Sequence, residues 1–367
     1  MMKEKIVFFC DSLGSGGAER MMISLANGIH RAGYALIMVL VKHKGEFLDE
    51  LDNGIQVVNL ASSRAFFALF PLVRYLRHAK PSVMLATMGH INSIAVLARF
   101  LAKYPLRLVV RESTTPSIAF RHASFFQKSI WNLLYSNILK SADLIVTPSE
   151  GVAADLISEY KQMWNQIRVI PNPLDISRLI ELSNSPNEPE LRLPLHESII
   201  IAVGRLHPAK DYPTLIRAFA KVLETRIAHL LILGEGEERK SLEQVIRSLN
   251  IQDHVSVPGF VKNPFSFMKQ AAVYVLSSQY EGLPNTLLQA LAIGTPSVST
   301  DCPNGPREIL ENGLWGRLVP VGDIDALAQA IIDGLEGRIA IPPIEMMEER
   351  YGIDKITQKY LDVFLAQ

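Results

Sequence analysis

Short apolar runs typical of buried strands recur along the chain, each followed by a glycine-rich or polar turn and then a helical segment. In the first half these runs are Ile6–Cys10, Ala35–Val41, Val57–Leu60, Val83–Ala86, Leu108–Val110 and Leu144–Thr147. Uninterrupted apolar strands separated by helices are typical of parallel sheets covered on both faces. The pattern therefore predicts an α/β fold with a doubly wound sheet.

A second series of the same kind begins at Ser198–Val203, after a stretch that contains Pro186, Pro189 and Pro194. Proline-rich, acidic segments are typical of linkers. We therefore predict one domain over residues 1–172, a linker over 173–197 and a second domain over 198–352. The amphipathic segment 353–367 is predicted to be a helix that packs toward the N-terminal domain.

Length and composition limit the class of protein. The chain has 367 residues, 48% apolar content, 20% charged content and no net charge, which suits a globular protein of two domains. Cys10 and Cys302 are the only cysteines, too few for a disulfide framework. The sequence shows no signal peptide and no uninterrupted apolar membrane span. A cytoplasmic location is therefore expected.

Charge is unevenly distributed. Residues 61–142 contain eleven Lys or Arg residues against one acid, Glu112, and aromatic residues lie among them. Two interpretations stay open: solvated helices with aromatic cores, or a surface that rests on anionic membrane lipid. Nucleic-acid binding is not indicated, because long apolar runs dilute the basic residues and no nucleic-acid motif is present.

The most informative stretch is 277–296. It follows the strand-like run Ala271–Leu276, and Pro284 suits the first turn of a helix that Gly294 and Pro296 end. In a parallel sheet such a loop lies at the carboxyl end of the strands, where ligands bind.

This helix start offers backbone amides without carbonyl partners, which suit an anion such as a phosphate. Glu281 would repel an anion, so its predicted task is to accept hydrogen bonds from a neutral polyol; simple helix capping is the alternative. The residues predicted to bind a ligand here are Gly282, Leu283, Pro284, Asn285, Thr286 and Gln289.

Other strand ends add candidates. Gly204, Arg205 and Lys210 follow the strand 198–203, and the two cations are predicted to converge on one anion, with unremarkable surface cations as the alternative. Later strand ends carry a second group: Gly234, Gly236, Phe260 and Val261. The last two suit either a nucleotide base or the core.

In the first half, a glycine-rich turn follows the first strand, with Gly14, Gly16 and Gly17 predicted to approach a phosphate or sugar; a tight turn alone is the alternative. A dinucleotide fingerprint is not favoured, because the second strand is followed by Lys42 rather than an acid. Further strand ends place these residues on the same predicted ligand side: His90, Asn92, Arg111, Glu112 and Ser113.

Asp323 and Asp325 have the spacing of a metal-binding pair, but they directly precede a helix, so capping explains them better. No metal and no cofactor are therefore predicted.

Several of these motifs occur together in one family order: residues 16–20 (GGAER), 204–210 (GRLHPAK), 234–236 (GEG), 281–285 (EGLPN) and 290–296 (ALAIGTP). The chain thereby resembles the retaining GT-B glycosyltransferases of family 4 (group 1). The resemblance implies two Rossmann-like domains that face a central cleft, with the C-terminal one binding a nucleotide-sugar. It also implies that Arg205 and Lys210 hold the donor diphosphate, that Glu281 holds the donor sugar, and that no metal is needed.

Two positions depart from the family pattern. Gln289 stands where the family usually has a second glutamate, which binds ribose hydroxyls, and this puts nucleotide affinity or choice in question. Ser113 stands where the family often has a histidine, so that histidine's role near the donor sugar cannot be transferred to it.

The expected function is transfer of a hexose or N-acetylhexosamine from a nucleotide-sugar, UDP-linked by expectation, to a hydroxyl acceptor. The basic, aromatic region 61–142 favours a lipid-linked saccharide of a surface polysaccharide or glycan as acceptor, with peripheral contact at the inner face of the membrane. Two alternatives stay open: a sugar-nucleotide epimerase on the same fold, and a catalytically silent partner subunit of a glycosyltransferase complex.

Overall fold

The computed structural model describes residues 5–14, 16–113, 135–160, 165–186 and 197–366. These residues form two compact units. The first comprises 1–173 together with 350–367, and the second comprises 174–349. Both are α/β units built on one parallel sheet each, as the apolar pattern predicted.

The first unit contains a sheet of seven strands in the order β3-β2-β1-β4-β5-β6-β7, all parallel. The strands are β1 (Lys5–Cys10), β2 (Ala35–Leu40), β3 (Gln56–Asn59), β4 (Val83–Thr87), β5 (Arg107–Arg111), β6 (Leu144–Thr147) and β7 (Ile167–Val169). The chain reverses its winding direction between β1 and β4, which makes their carboxyl ends the switch point of this sheet.

Helices cover both faces of this sheet. Those in the described part of the unit include α1 (Gly17–Arg31), α2 (Leu69–Ala79), α3 (Gly89–Ala102) and α4 (Glu150–Glu159), with short 3₁₀ helices at Leu48–Glu50 and Ala65–Ala68. One buried core lies under α2, α3 and α4, and a second lies under α1 on the opposite face.

The C-terminal helix belongs to this first unit, as predicted. It runs from Ile353 to Leu365 and packs beside α1, where Tyr360 and Phe364 enter the core. The Phe364 ring lies edge-on to that of Phe8, with centroids 6.3 Å apart. Thr357 packs so closely on Gly28 that a Cβ there would lie 2.2 Å from its Oγ1. The first unit is therefore completed by the last residues of the chain.

The second unit contains six parallel strands in the order β10-β9-β8-β11-β12-β13. They are β8 (Ser198–Val203), β9 (Ala228–Leu233), β10 (Val255–Gly259), β11 (Val273–Leu276), β12 (Ser297–Thr300) and β13 (Arg317–Val319). The winding reverses between β8 and β11, so their carboxyl ends form the switch point here.

The helices of the second unit are α5 (Ile176–Ser183), α6 (Tyr212–Leu223), α7 (Arg239–Ser248), α8 (Phe265–Gln270), α9 (Asn285–Ile293), α10 (Pro306–Ile309), α11 (Ile324–Leu335) and α12 (Ile344–Tyr351). Short 3₁₀ helices occupy Pro208–Lys210, Gln252–His254 and Glu311–Gly313. We label the C-terminal helix Ile353–Leu365 as α13.

The linker prediction for residues 173–197 is wrong for the part that α5 occupies. Asp175 caps this helix by accepting a hydrogen bond from the Arg178 amide at 3.1 Å, and α5 packs against α8 and α9 of the second unit. The apolar side chains Ile176 and Leu179 are buried, so packing outweighs the prolines that follow. Residues 187–196 of the predicted linker lie outside the described residues.

Within the described ranges, no helix combines the length and the apolar character needed to cross a bilayer.

Candidate donor site

The predicted donor residues of the second unit gather at its switch point. Arg205 and Lys210 follow β8, Glu281 follows β11, and these two strands are neighbours in the sheet. Loops at a switch point diverge to opposite sides of the sheet, which leaves room for a ligand beyond the strand ends.

Two hydrogen bonds to backbone carbonyls hold the loops after β8 and β11 together. The Ser277 hydroxyl donates to the Lys210 carbonyl at 2.7 Å, and the Gln279 amide donates to the Ala209 carbonyl at 2.8 Å. The Tyr212 hydroxyl and the Lys210 side chain pack on Gly204, where a Cβ would lie 3.0 Å from the hydroxyl oxygen. A side chain at position 204 would therefore require Tyr212 and Lys210 to shift by a few tenths of an ångström.

Glu281 lies at the centre of this arrangement. Its Oε1 atom lies 2.6 Å from the Lys210 Nζ and accepts a hydrogen bond from the Ser278 hydroxyl, also at 2.6 Å. Its side chain is only 13% exposed and that of Lys210 22%. Glu281 does not cap the helix in this structure: Pro284 is the N-cap residue and no side chain caps it.

Helix α9 begins at Asn285, one residue later than predicted, and ends at Ile293. Gly294 stops it, as predicted, and has the left-handed conformation. The Tyr274 hydroxyl of β11 donates to the Thr286 Oγ1 at 2.7 Å and so holds the first turn of α9 against the sheet. Gln289 is buried, at 8% exposure, and its side chain has no hydrogen-bond partner among the described residues. Its amide is therefore available to a ligand.

The loop after β12 supports the loop that carries Glu281, Gly282 and Pro284, which we call the donor loop. The Glu281 amide donates to the Pro303 carbonyl at 3.2 Å. Gly305 has φ +90°, and a Cβ there would lie 2.6 Å from Pro284 Cδ and 3.1 Å from the Gly282 carbonyl oxygen. Burial, helped by the charge of Glu281, raises the pKa of the Cys302 thiol in this loop to about 12, so the thiol stays protonated at neutral pH.

The predicted glycines after β9 have a structural reason of their own. Gly234 has φ +149°, and a Cβ there would lie 1.9 Å from the Gly204 carbonyl oxygen. A Cβ on Gly236 would lie 2.2 Å from the Leu206 carbonyl oxygen. The missing side chains let the loops after β8 and β9 approach closely, and the Leu206 amide donates to the Glu235 carbonyl at 2.9 Å between them. Phe260 is about half exposed while Val261 is buried, so of the two only Phe260 presents a large surface to a ligand.

The Arg205 side chain is exposed and makes no hydrogen bond or ion pair with any residue that the structure describes, although its backbone carbonyl accepts from the His207 amide at 2.8 Å. It follows Gly204, against which the Lys210 side chain packs. The two predicted cations are thus close in the chain but differ in state: Lys210 is paired and Arg205 is unpaired.

In the first unit, two predicted groups flank the switch point between β1 and β4. Gly16 is the N-cap residue of α1 and Gly17 its first residue, while Gly14 lies half-buried in the preceding loop. On the other side, α3 begins at Gly89 after Met88, whose φ of +75° is rare for a residue with a side chain. His90 is exposed at this helix start.

Asn92 and Glu112 were predicted to face a ligand but are buried, at 0% and 4% exposure. The Glu112 carboxylate accepts hydrogen bonds from the Asn92 side-chain amide and the Tyr135 hydroxyl. Burial raises the pKa of Glu112 to about 7, and the two hydrogen bonds and the charge of Arg111 offset it only in part. Glu112 therefore exchanges a proton near neutral pH.

Arg111 is buried too, at 1% exposure, and its guanidinium donates to the Asn172 side-chain oxygen. The Arg111 and Glu112 side chains thus have different hydrogen-bond partners inside the first unit. Ser113 is half-buried and is the last described residue of its segment.

Comparison with known proteins agrees with this geometry. A family model described as "Glycosyl transferases group 1" matches residues 184–350, and one described as "Glycosyltransferase Family 4" matches residues 15–178. The chain belongs to the family 4 (group 1) glycosyltransferases.

Two curated relatives illustrate the likeness. An uncharacterised glycosyltransferase of Methanocaldococcus jannaschii is 33% identical over 66% of this chain and 61% of its own length. The N-acetylgalactosamine-N,N'-diacetylbacillosaminyl-diphospho-undecaprenol 4-alpha-N-acetylgalactosaminyltransferase of Campylobacter jejuni is 28% identical over 91% of this chain and 90% of its own.

Among solved structures, Anabaena HepE in complex with UDP-glucose has a TM-score of 0.81 and 20% identity, covering 99% of this chain and 100% of its own. At that identity the likeness concerns the fold, which is that of the GT-B glycosyltransferases.

The residues that could suggest a metal have other partners in this glycosyltransferase. Asp323 caps α11 by accepting a hydrogen bond from the Ala326 amide at 2.9 Å, as predicted, and Asp325 pairs with Lys221. Within the described ranges, no cluster of three His, Cys, Asp or Glu side chains suits a metal ion. Metal independence remains a prediction.

Sequence reasoning missed Ser278, Tyr274 and Gly305, which support the candidate donor site, and Tyr135, which donates to the buried Glu112. Ser278 follows β11 directly and could have been noticed from that position. The others act through contacts with residues far away in the chain, which one sequence does not reveal.

Proposed function

We propose that this chain transfers a sugar, with retention, from a nucleotide-sugar to a hydroxyl acceptor. The observation that carries the proposal is the meeting of Lys210, Glu281 and the start of α9 at one switch point. A cation and a helix N-terminus suit a diphosphate, and a carboxylate suits sugar hydroxyls. Exposed Arg205 adds a second cation beside them.

The chemistry follows from charge. As the bond between the anomeric carbon and the phosphate oxygen breaks, negative charge grows on the leaving diphosphate. Arg205, Lys210 and the helix amides stabilise that charge more in the transition state than in the ground state. The acceptor oxygen forms the new bond to the anomeric carbon and its proton passes to the leaving phosphate, so no protein base is required.

The donor is proposed to be UDP-linked, a hexose or N-acetylhexosamine. The fold relative from Anabaena binds UDP-glucose, which supports a uridine nucleotide in this fold. Phe260, about half exposed, is proposed to contact the base, and Gln289 the ribose.

The acceptor is proposed to be a lipid-linked saccharide. The Campylobacter relative is named for action on a diphospho-undecaprenol glycan, and it aligns over most of this chain. The first unit, with the glycine turn at 14–17 and the exposed His90, is proposed to bind this acceptor. The protein would then work at the inner face of the cell membrane as a peripheral enzyme.

A donor panel tests the reaction. The purified chain is incubated with single UDP-sugars and a lipid-linked or short-chain saccharide acceptor, and UDP release is measured with and without EDTA. Acceptor-dependent UDP release is expected, unchanged by EDTA. An epimerase converts the UDP-sugar without releasing UDP, and a silent partner does neither, so each alternative has its own result. The anomeric configuration of the product, read by NMR, tests retention.

A further inference from the structure

Large apolar side chains are exposed on one face of the first unit, which we call the aromatic face. Its members, with exposed fractions from 36% to 78%, are Phe66, Phe67, Phe70, Leu97, Phe100 and Leu101. They lie on the 3₁₀ helix 65–68, on α2 and on α3, which pack against one another. Arg77 of α2 donates to the carbonyls of Leu101 and Ala102 and ties the helix ends together.

These side chains are not needed for the core. Helix α2 buries Leu72, Val73 and Leu76 against the sheet, so its inner face is already satisfied. Phe70 points elsewhere and is 74% exposed, and Phe100 of α3 is 78% exposed. An apolar cluster left in water on a folded unit marks an interaction surface.

The same helices carry cations without partners. Apart from Arg77, which donates to backbone carbonyls, the exposed Lys and Arg residues of segment 61–113 with no ion pair among the described residues are Arg64, Arg74, Lys80 and Lys103. Arg99 is excluded because Asp143 neutralises it. The one acid in the sequence from 61 to 113 is Glu112, and it is buried. This surface is therefore apolar and positive, with no exposed carboxylate from its own segment.

The length of the aromatic face favours a lipid bilayer over a single sugar as its binding partner. Helices α2 and α3 both begin at the carboxyl edge of the sheet, so Phe66, Phe67 and Phe70 lie near the start of α3 at His90. Phe100 lies ten positions further along α3, roughly 15 Å away. A surface that stacks on one sugar would be confined to the carboxyl edge. Phenyl rings and cations spread along both helices suit a flat anionic bilayer.

We propose that the aromatic face docks on an anionic phospholipid bilayer, with Phe66, Phe70 and Phe100 inserted among the acyl chains and Arg64 and Arg74 at the phosphates. The start of the face lies beside His90, so docking would bring the acceptor side of the first unit to the membrane. That last point rests on the proposed function; lipid binding itself does not.

Sedimentation with vesicles tests the proposal. The full chain is mixed with phosphatidylcholine vesicles, with or without a quarter of phosphatidylglycerol, at low salt and at about 0.5 M NaCl. Binding is expected to the anionic vesicles and to weaken at high salt. The variant Phe66→Ser/Phe70→Ser/Phe100→Ser should lower the partition coefficient by more than about tenfold. Arg64→Gln/Arg74→Gln should lower it about fivefold per residue.

Matched controls come from the second unit. Ile227→Ser and Leu314→Ser remove exposed apolar side chains, and Lys240→Gln/Arg247→Gln removes two exposed cations; all should bind as the unaltered chain does. UDP binding, measured by calorimetry, checks that each variant is folded. If neither the unaltered chain nor any variant binds UDP, that result counts against the proposed function and not against membrane docking. The docking proposal is overturned if the unaltered chain ignores anionic vesicles. It is overturned equally if the phenylalanine variant keeps vesicle binding and loses only transfer to a soluble saccharide.

Discussion

The Lys210 Nζ lies 2.6 Å from the Glu281 Oε1, and the two residues come from different strand–loop–helix units of one sheet. An ammonium group has three donors, so Lys210 can hold Glu281 and still offer two to a phosphate. The pair also reduces the repulsion that Glu281 would exert on a diphosphate at the start of α9. Lys210 thus allows a binding site for an anion and a binding site for a polyol to lie next to each other.

Removal of Arg205 and removal of Lys210 should both slow the reaction but should differ in their effect on stability. Arg205→Ala removes an exposed, unpaired side chain, so the melting temperature should stay unchanged while kcat falls by about 10²- to 10³-fold. Lys210→Met should lower kcat similarly and also cost about 1–2 kcal/mol of unfolding free energy, because Glu281 loses its cation.

Steady-state UDP release and thermal unfolding measure both effects, with Lys240→Met as the control for loss of an exposed lysine. Full turnover in a folded Arg205→Ala protein would remove Arg205 from the reaction.

Gly305 should be required for the shape of the donor loop. Gly305→Ala places a methyl group against Pro284 and the Gly282 carbonyl, at a φ of +90° that L-residues rarely adopt. We expect the KM for the UDP-sugar to rise about tenfold or more. Gly313→Ala is the matched control, since Gly313 has φ +94° and no atom within 4 Å of a Cβ. If both variants raise KM equally, backbone strain alone is the cause and the contact with Pro284 is not.

Gln289 should contribute to donor binding rather than to chemistry. Its buried side-chain amide has no partner among the described residues, so Gln289→Ala removes a group that we propose to bind the ribose of the donor. The loss of one neutral hydrogen bond, about 1 kcal/mol, predicts a KM increase of roughly fivefold with kcat within twofold. Gln289→Glu, which restores the family's usual residue, should change the KM for UDP-sugars less than the alanine variant does. A kcat loss without a KM change in Gln289→Ala would contradict this role.

The order of strands and turns was readable from sequence because it is a local property. Ser198–Val203 was predicted with the bounds that the structure gives it, and Gly294 ends α9 as expected. The loops that carry Arg205 and Glu281 follow from the same local pattern, since loops after parallel strands share one edge. That much of the candidate donor site could be predicted without a structure.

The remainder depends on contacts between distant parts of the chain. The pairing of Lys210 with Glu281 requires β8 and β11 to be neighbours, and Gly305 matters only through its contact with Pro284. Burial of Glu112 depends on Tyr135 and Asn92. Helix α5, by contrast, could have been predicted from sequence, because Asp175 is a favourable N-cap residue. The prolines that follow led to the prediction of a linker instead.

The C-terminal helix should decide whether the first unit folds. Phe364 is buried on Phe8, so Phe364→Ala should cost about 3–5 kcal/mol by loss of contacts and creation of a cavity. Urea unfolding followed by circular dichroism measures this, with the exposed Lys359→Ala on the same helix as control. A fragment of residues 1–173 should be unfolded alone and recover structure when a peptide of residues 350–367 is added. A fully folded fragment without the peptide would contradict the dependence.

Glu112 should make stability depend on pH. Its pKa rises from 4.5 to about 7 in the folded protein, mainly because burial penalises the charged carboxylate. The folded state therefore binds more protons than the unfolded state between these values. Stability is then greatest below about pH 4.5 as far as this group is concerned, and falls as pH rises to about 7, by about 3 kcal/mol in total.

Glu112→Gln keeps a neutral side chain that still accepts from Asn92 and Tyr135, so this fall should disappear. Urea unfolding of both proteins at pH 5 and pH 8.5 should show the variant gaining about 2–3 kcal/mol on the unaltered chain between the two conditions. Glu46→Gln, which removes an exposed acid from the same unit, should show no such gain. If the stability of Glu112→Gln and of the unaltered chain changes equally with pH, the Glu112 carboxylate is already ionised in the folded protein at pH 5. Its hydrogen bonds would then lower its pKa more than burial raises it.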